Sequence, residues 1–423
     1  MKYKGNIEIM SPAGSLDSLM AAIQGGAGSV YFGAGQLNMR SRSSSNFSPD
    51  EIKHIVQICH EMNVKSYLTL NTIIYDNEIE EMMHMVDIAK ESGVSAIIAS
   101  DLSVLEYARE KGVEVHISTQ CNITNISAVK FYSRYADVMV LARELNIAQI
   151  AAITKTIKQQ NICGPSGKLV RIEVFVHGAL CMAVSGKCYI SLDNFNSSAN
   201  RGACLQPCRR AYTVNDADSQ LELEIENKYI MSPKDLMTIP ILNRLLDAGV
   251  EILKIEGRGR SAEYVKTVTR TYHEAVEGWA DGQYTAENIE KWTAQLRTVY
   301  NRGFWGGYYL GEKTGEWSEK YGSQATSKKV YIGKVVNFFK NLQVAEIKIE
   351  THSLSINDDI LVIGPTTGVY EAKVTELRVE LQTVTRAIKG EHCSLPVSDT
   401  LRRGDKVYIV VDSTHKLFES QSA

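Results

Sequence analysis

Apolar and polar positions along this chain follow two rhythms. From Ile7 to about Trp279 a short β-branched apolar run gives way to a polar loop, then to a longer stretch with apolar residues three and four apart, and the theme recurs. The first rhythm suits a buried strand and the second an amphipathic helix. Eight runs predict strands: IEIM (7–10), SVYFG (29–33), KSYLTLN (65–71), AIIAS (96–100), EVHIST (114–119), VMVLA (138–142), IEVFVH (172–177) and ILKIEG (252–257). Among the predicted helices, 232–249 has Ser232 as cap, Pro233 at the first helical position and Gly249 at the exit, and 261–279 closes the series. Eight strand-helix units over roughly 270 residues predict a TIM-type (β/α)8 barrel. A doubly wound open sheet fits the same rhythm, because periodicity does not show whether the eighth strand closes on the first.

After the glycine- and aromatic-rich passage YNRGFWGGYYLGE (300–312) the rhythm changes. From Val330 onward short alternating runs such as YIGKVVNFF, VAEIKIE, DILVIG and DKVYIVV appear without a convincing helix, which predicts a small all-β barrel. The expected organisation is a barrel over 1–311, a linker over 312–329 and the β domain over 330–423.

Composition changes the picture mainly through the cysteines. With 44% hydrophobic and 22% charged residues in 423, the chain has the profile of an ordinary globular protein with a large core. The opening MKYKGNIEIMSPAGS has no apolar run of signal-peptide type, and nowhere do about 18 apolar residues follow one another. A cytoplasmic protein with no membrane partner is expected, and a reducing compartment disfavours structural disulfides. Four of the eight cysteines, Cys181, Cys188, Cys204 and Cys208, fall within 28 positions, directly after the seventh strand. Their spacing, C-x6-C-x15-C-x3-C, matches neither a zinc ribbon nor a ferredoxin pattern, but four thiolates complete a tetrahedral set for zinc or for an iron-sulfur cluster. Cys59, Cys121, Cys163 and Cys393 stand alone, as small buried hydrophobes do. The net charge of −3 gives no support to indiscriminate nucleic-acid binding, so any such site must be local.

In a TIM barrel the loops at the carboxyl ends of the strands build the active site. Those loops carry Arg40 and Arg42 after the second strand, Asn71 after the third, Gln120 after the fifth, Arg143 after the sixth, and Arg258 and Arg260 after the eighth; the cysteine segment adds Arg201, Arg209 and Arg210. Arginine's planar fork suits carboxylates and phosphates. On the seventh strand period two puts Glu173, Phe175 and His177 on one face. Ionisable groups inside a strand are costly unless hydrogen-bonded, and near the carboxyl end they often do acid-base work. Glu173 and His177 are therefore catalytic candidates; a buried structural network with Lys254 and Glu256 of the eighth strand is the alternative, and it suits Glu173, deeper in the strand, better than His177 at the rim. The aromatic residues Tyr300, Phe304, Trp305, Tyr308 and Tyr309 could stack exposed bases or pack the linker onto the barrel.

EVFVHGALCMAVSGKCYIS resembles the signature of the collagenase-like peptidase U32 family, and SPAGSLDSLMAAIQGGAGSVYFG resembles its amino-terminal motif; NFS, LKIEGR and NRGF follow in the expected order. The resemblance covers most of the barrel. It implies a [4Fe-4S] site on Cys181, Cys188, Cys204 and Cys208. Several members hydroxylate RNA bases or a quinone precursor without oxygen. The β domain resembles that of a subgroup acting on the wobble uridine of tRNA, which makes 5-hydroxyuridine with a prephenate-derived hydroxyl group. The implied partners are thus the tRNA anticodon loop, with the β domain as a candidate RNA-binding module, and prephenate or a similar carboxylate. An anticodon loop offers a base already out of its stack. Arg40, Arg42, Asn71, Gln120, Arg143, Lys254, Glu256, Arg258 and Arg260 would bind substrate, with His177 placed for proton transfer. The alternatives are a collagenase-like peptidase and a non-catalytic RNA-binding protein with structural zinc. For a peptidase the sequence offers no H-E-x-x-H and no cysteine marked by a His and Asn pairing. Oligomeric state is not legible.

Overall fold

A computed structural model describes residues 7–42, 46–213, 229–312 and 315–414; the outermost parts of the expected domains, 1–6 and 415–423, and positions 313–314 of the expected linker lie outside the described residues. The strands are β1 (Glu8–Pro12), β2 (Ser29–Phe32), β3 (Lys65–Leu70), β4 (Ala96–Ala99), β5 (Val115–Ile117), β6 (Val138–Val140), β7 (Arg171–Gly178), the extra β8 (Asp235–Met237) and β9 (Ile252–Ile255). Neighbours from β1 to β7 pair in parallel in chain order, β7 pairs with β9, and β9 returns to β1 with Glu8 opposite Ile252 and Met10 opposite Lys254. That last pairing closes the ring, so the fold is the eight-stranded barrel and not the open sheet.

The intervening helices are α1 (Leu16–Gln24), α2 (Ile52–Glu61), α3 (Ile79–Ser92), α4 (Leu102–Lys111), α5 (Ile126–Tyr132), α6 (Ile147–Gln159), α7 (Ile190–Phe195), α8 (Leu242–Asp247) and α9 (Ala262–Ala280). Successive strand residues face opposite sides. Ile9, Val30, Phe32, Leu68 and Ile97 therefore pack outward under the helices, while Met10, Tyr31, Tyr67, Ile98, Val138 and Ile252 fill the inside of the ring.

The helix expected over 232–249 is only partly present. Helical geometry is confined to a 3-10 turn at Ile239–Ile241 and to α8, and Asp235–Met237 runs as a strand, antiparallel to the carboxyl end of β7 and parallel to β10 (Phe304–Trp305). The cause is tertiary: β7 outruns its neighbours, and its last backbone groups need partners that Leu236 and Met237 supply. Pro240, which lacks an N–H, sits in the turn Ile239–Ile241 where the chain re-enters helix. A further helix, α10 (Ala286–Arg297), is capped by Thr285 and buries Trp292 and Leu296.

From Ser327 the chain forms antiparallel sheet, with strands over 327–339, 344–349, 359–364, 368–373, 392–396 and 406–412 around a core that includes Ile332, Ile347, Val362, Leu395 and Val407. This sheet docks on the outer wall of the barrel. Gln24 of α1 exchanges hydrogen bonds with Thr367 O and Val369 N, each 2.9 Å, and Arg270 of α9 pairs with Glu371 at 3.1 Å. Among the described residues no helix is long and apolar enough to cross a membrane.

Candidate active site

The carboxyl ends of the barrel strands surround a cavity of about 190 Å³, roofed by the cysteine segment. Its wall brings together most of the residues singled out in the sequence: Arg40, Asn71, Gln120, Arg143, Lys254, Glu256 and Arg258, with Cys181, Cys188, Cys204 and Cys208. Among the described residues five cations line it, Arg40, Arg143, Arg209, Lys254 and Arg258, against the single carboxylate of Glu256.

Their pairing is uneven. Arg40 Nη2 bonds Glu256 Oε1 at 3.0 Å. Arg258, 7% exposed, rests on neutral groups, donating from Nη1 to Asn38 Oδ1 and Thr69 Oγ1 at 3.0 Å each. Burial without a carboxylate in contact pushes its pKa down to about 10. The chain makes room for this guanidinium: a side chain at Gly33 would put its Cβ 2.3 Å from Arg258 Nη1. Arg143 donates to Ala179 O at 2.9 Å and lies 3.8 Å above the centre of the Phe175 ring, with Nε buried and unpartnered. Burial lowers its pKa as well. Lys254 forms the cavity floor and donates to Glu173 Oε1 at 2.7 Å.

The cysteine segment is tied down on both sides. Arg201 forms a forked ion pair with Glu78 ahead of α3 and stacks on Tyr75 at 4.1 Å. Arg209 donates to Pro233 O at 2.7 Å and to Leu180 O. All four cysteines are free thiols. Burial pushes Cys208 up to about 11, with Arg209 acting against it and Cys181, Cys204 and Cys188 adding to it, so the four sulfurs lie within electrostatic reach of one another. Among the described residues no three His, Cys, Asp or Glu converge to hold a single ion. The thiols line a wall. As a donor set they fit a soft, thiolate-ligated group, with Arg40 and Arg209 at hand to favour ionisation.

Other candidates fall elsewhere. The pairing of β7 with β9 shifts register between Phe175 and His177, and this bulge breaks the period-two reading. His177 is turned out of the cavity and packs against Tyr264, Tyr272 and Phe304, where burial pushes its pKa down to about 3. Glu173 lies below the cavity at 0% exposure. Arg42 is exposed outside it. Arg260 stands in an adjoining recess with Arg302, stacked 3.6 Å over the Tyr300 ring. Trp305 and Tyr309 are buried, donating to Lys234 O and Phe175 O, so they pack this passage onto the barrel. Tyr31, Thr69, Ser118 and Gln206 also line the cavity and were not singled out in the sequence. Tyr31 could have been, since a phenol on the inward face of a buried strand needs a partner, which it finds in Ile255 O at 2.8 Å.

Comparison with known proteins adds the following. The profile of Peptidase family U32 matches residues 14–319. A Porphyromonas gingivalis protein named collagenase is 58% identical over 403 residues, spanning 95% of this chain and 97% of its own length. The Escherichia coli 23S rRNA 5-hydroxycytidine C2501 synthase is 37% identical over 272 residues, 64% of this chain and 39% of that protein. The Bacillus subtilis tRNA hydroxylation protein P1 is 29% identical over 367 residues, 85% of this chain and 83% of its own length.

Proposed function

The chain belongs to peptidase family U32, and from that premise we propose that it is an RNA-hydroxylating enzyme that converts the wobble uridine of tRNA to 5-hydroxyuridine, with the hydroxyl group drawn from prephenate. Relatives named for tRNA and rRNA hydroxylation support the reaction class. The observation that carries the reading is the cavity itself, where four free thiols face cations in excess of carboxylates. Cys181, Cys188, Cys204 and Cys208 would hold a [4Fe-4S] cluster. Four soft thiolates in one cavity are a donor set suited to such a cluster. Bound there, a cluster supplies electron transfer and a Lewis-acidic iron.

The protein's own groups do the rest. Among the described residues Arg258 and Arg143 make no carboxylate contact, and they take the carboxylates of the donor. Arg40 is held by Glu256 at the rim, in position for an RNA phosphate. Gln120 Oε1, buried and without a partner among the described residues, is an acceptor for an imide N–H such as that of uracil. Lys254 holds a proton at the floor. His177 has no part in this scheme, because its ring faces away.

The peptidase reading has the name of the 58% identical relative in its favour. Peptide hydrolysis by a cysteine needs a base beside it, and among the described residues lining the cavity there is no histidine. Anaerobically prepared protein, given prephenate and tRNA lacking the modification, should yield 5-hydroxyuridine and leave denatured collagen intact. Collagen cleavage without a modified nucleoside would replace the hydroxylase reading with the peptidase one.

A further inference from the structure

Below Lys254 the barrel interior is not apolar. Lys254 Nζ donates to Glu173 Oε1 at 2.7 Å, the second oxygen of that carboxylate faces His116 Nδ1 at 3.6 Å, and His116 Nε2 faces Glu114 Oε1 at 3.6 Å. The Lys254, Glu173 and His116 side chains are 5%, 0% and 1% exposed, whereas that of Glu114, just ahead of β5 at the amino-terminal mouth, is 50% exposed. Four ionisable groups of alternating sign therefore run the depth of the barrel, from the cavity to solvent at the opposite end.

Packing does not require them. Met10, Ile98, Val138 and Ile252 fill the same inner surface with apolar atoms, and replacing a buried ionic array by apolar residues is often neutral or stabilising. The geometry at His116 is specific. A neutral imidazole has one N–H, so with a carboxylate at each nitrogen one lone pair must face an anion; only the imidazolium donates to both. Among the described residues neither ring nitrogen nor Glu173 Oε2 has a hydrogen-bond partner, since 3.6 Å exceeds an N–H···O bond. Burial alone would lower the ring's proton affinity, but Glu114 and Glu173 override it and the net direction is upward. The titratable and charged groups around the array include Tyr67, whose ring centre is 4.5 Å from that of His116 and whose hydroxyl donates to Glu8, Lys65 and Arg171 near Glu114, Tyr31, whose ring centre is 4.8 Å from Lys254 Nζ, and Arg143 and Arg258 near Lys254.

We propose that Lys254, Glu173, His116 and Glu114 form a proton relay through the barrel core, connecting the cavity floor to solvent at the amino-terminal mouth, with His116 and Glu173 as positioning residues. The transfer balances without any electron. Lys254 gives a proton to a group in the cavity; His116 passes the proton on Nδ1 to Glu173, which returns it to the Lys254 amine. A turn of the ring presents the bare nitrogen to Glu114, which delivers a replacement taken from water. One proton crosses the barrel whatever chemistry the cavity performs, so the relay does not depend on the hydroxylase reading.

The test is histidine NMR on the full chain, where the one resonance of nine lost in His116→Gln identifies the ring. Its titration midpoint should lie above that of an ordinary histidine. Lys254→Met, which removes the cation competing for Glu173, should raise the midpoint by about one pH unit or more, and the half-exposed substitution Glu114→Gln should lower it. The ring N–H, though sealed, should exchange with solvent faster than the backbone amides of β5, and Glu114→Gln should slow that exchange about tenfold, the factor carried by one unit of proton affinity. Exchange no faster than those amides would overturn the relay, as would a midpoint indifferent to Glu114→Gln, a variant that leaves the core intact even if Lys254→Met fails to fold.

Discussion

Arg258 and Arg302 look alike in burial and should respond oppositely to replacement by methionine. Arg302 Nη1 pairs with Asp235 Oδ1 at 3.1 Å, and the Asp235 side chain is 3% exposed. Removing the arginine strands a buried carboxylate, which costs about 3–5 kcal/mol. Among the described residues Arg258 touches no carboxylate. The displacement of its pKa from 12.5 to about 10 corresponds to about 3 kcal/mol of unfavourable burial at neutral pH. Arg258→Met removes that cost and loses two hydrogen bonds. Asn38 Oδ1 keeps the Arg40 N–H at 3.1 Å and Thr69 Oγ1 still donates to Phe32 O at 3.0 Å, so each loss should cost only about 1 kcal/mol. The variant should come out about 1 kcal/mol more stable than the parent while losing the anion site. Urea unfolding of both variants without ligand, followed by far-ultraviolet circular dichroism, measures the difference. A dicarboxylate donor should then stabilise the parent and leave Arg258→Met unmoved. If Arg258→Met loses as much as Arg302→Met, the idea of a cation held in reserve for a ligand is wrong.

Protein purified without oxygen should carry about four irons and four sulfides and lose both in Cys188→Ala, whereas stoichiometric zinc without colour would indicate a structural cage. Glu8 is desolvated, but hydrogen bonds from Lys65 and Tyr67 outweigh that and lower its pKa from 4.5 to about 2. Its contribution, about 3 kcal/mol, is present above pH 4.5 and fades as pH falls toward 2, so Glu8→Gln should destabilise at pH 7 and converge with the parent near pH 2 in urea titrations at the two pH values. Gly33→Ala should impair anion binding with the arginine itself intact, because the new methyl group would meet Arg258 Nη1; unchanged affinity in an isothermal titration with the dicarboxylate would contradict the packing.

The eight barrel strands were legible because each is a compact apolar run, and the cationic wall because strand order tells which loops share a face. Closure was not, since it resides in the pairing of β1 with β9, far apart in the chain. The segment 232–249 misled because cap, proline and glycine all favour helix, while the unpaired end of β7 drew Asp235–Met237 into sheet. His177 misled for a related reason: period two holds only along an unbroken ladder, and one bulge past Phe175 sends the next side chain outward. Glu173 fell between the two readings, with the expected partner in Lys254 and an unexpected one in His116, which no local pattern connects to it. The aromatic passage was correctly open to a packing role, which Trp305 and Tyr309 fill.

Nucleoside mass spectrometry of tRNA from cells lacking this chain, complemented with either the parent or a Cys188→Ala copy, tests the central claim most directly. The account predicts that wobble 5-hydroxyuridine disappears on deletion, returns with the parent and stays absent with Cys188→Ala. Full restoration by Cys188→Ala, or an unchanged level of the nucleoside on deletion, would contradict it.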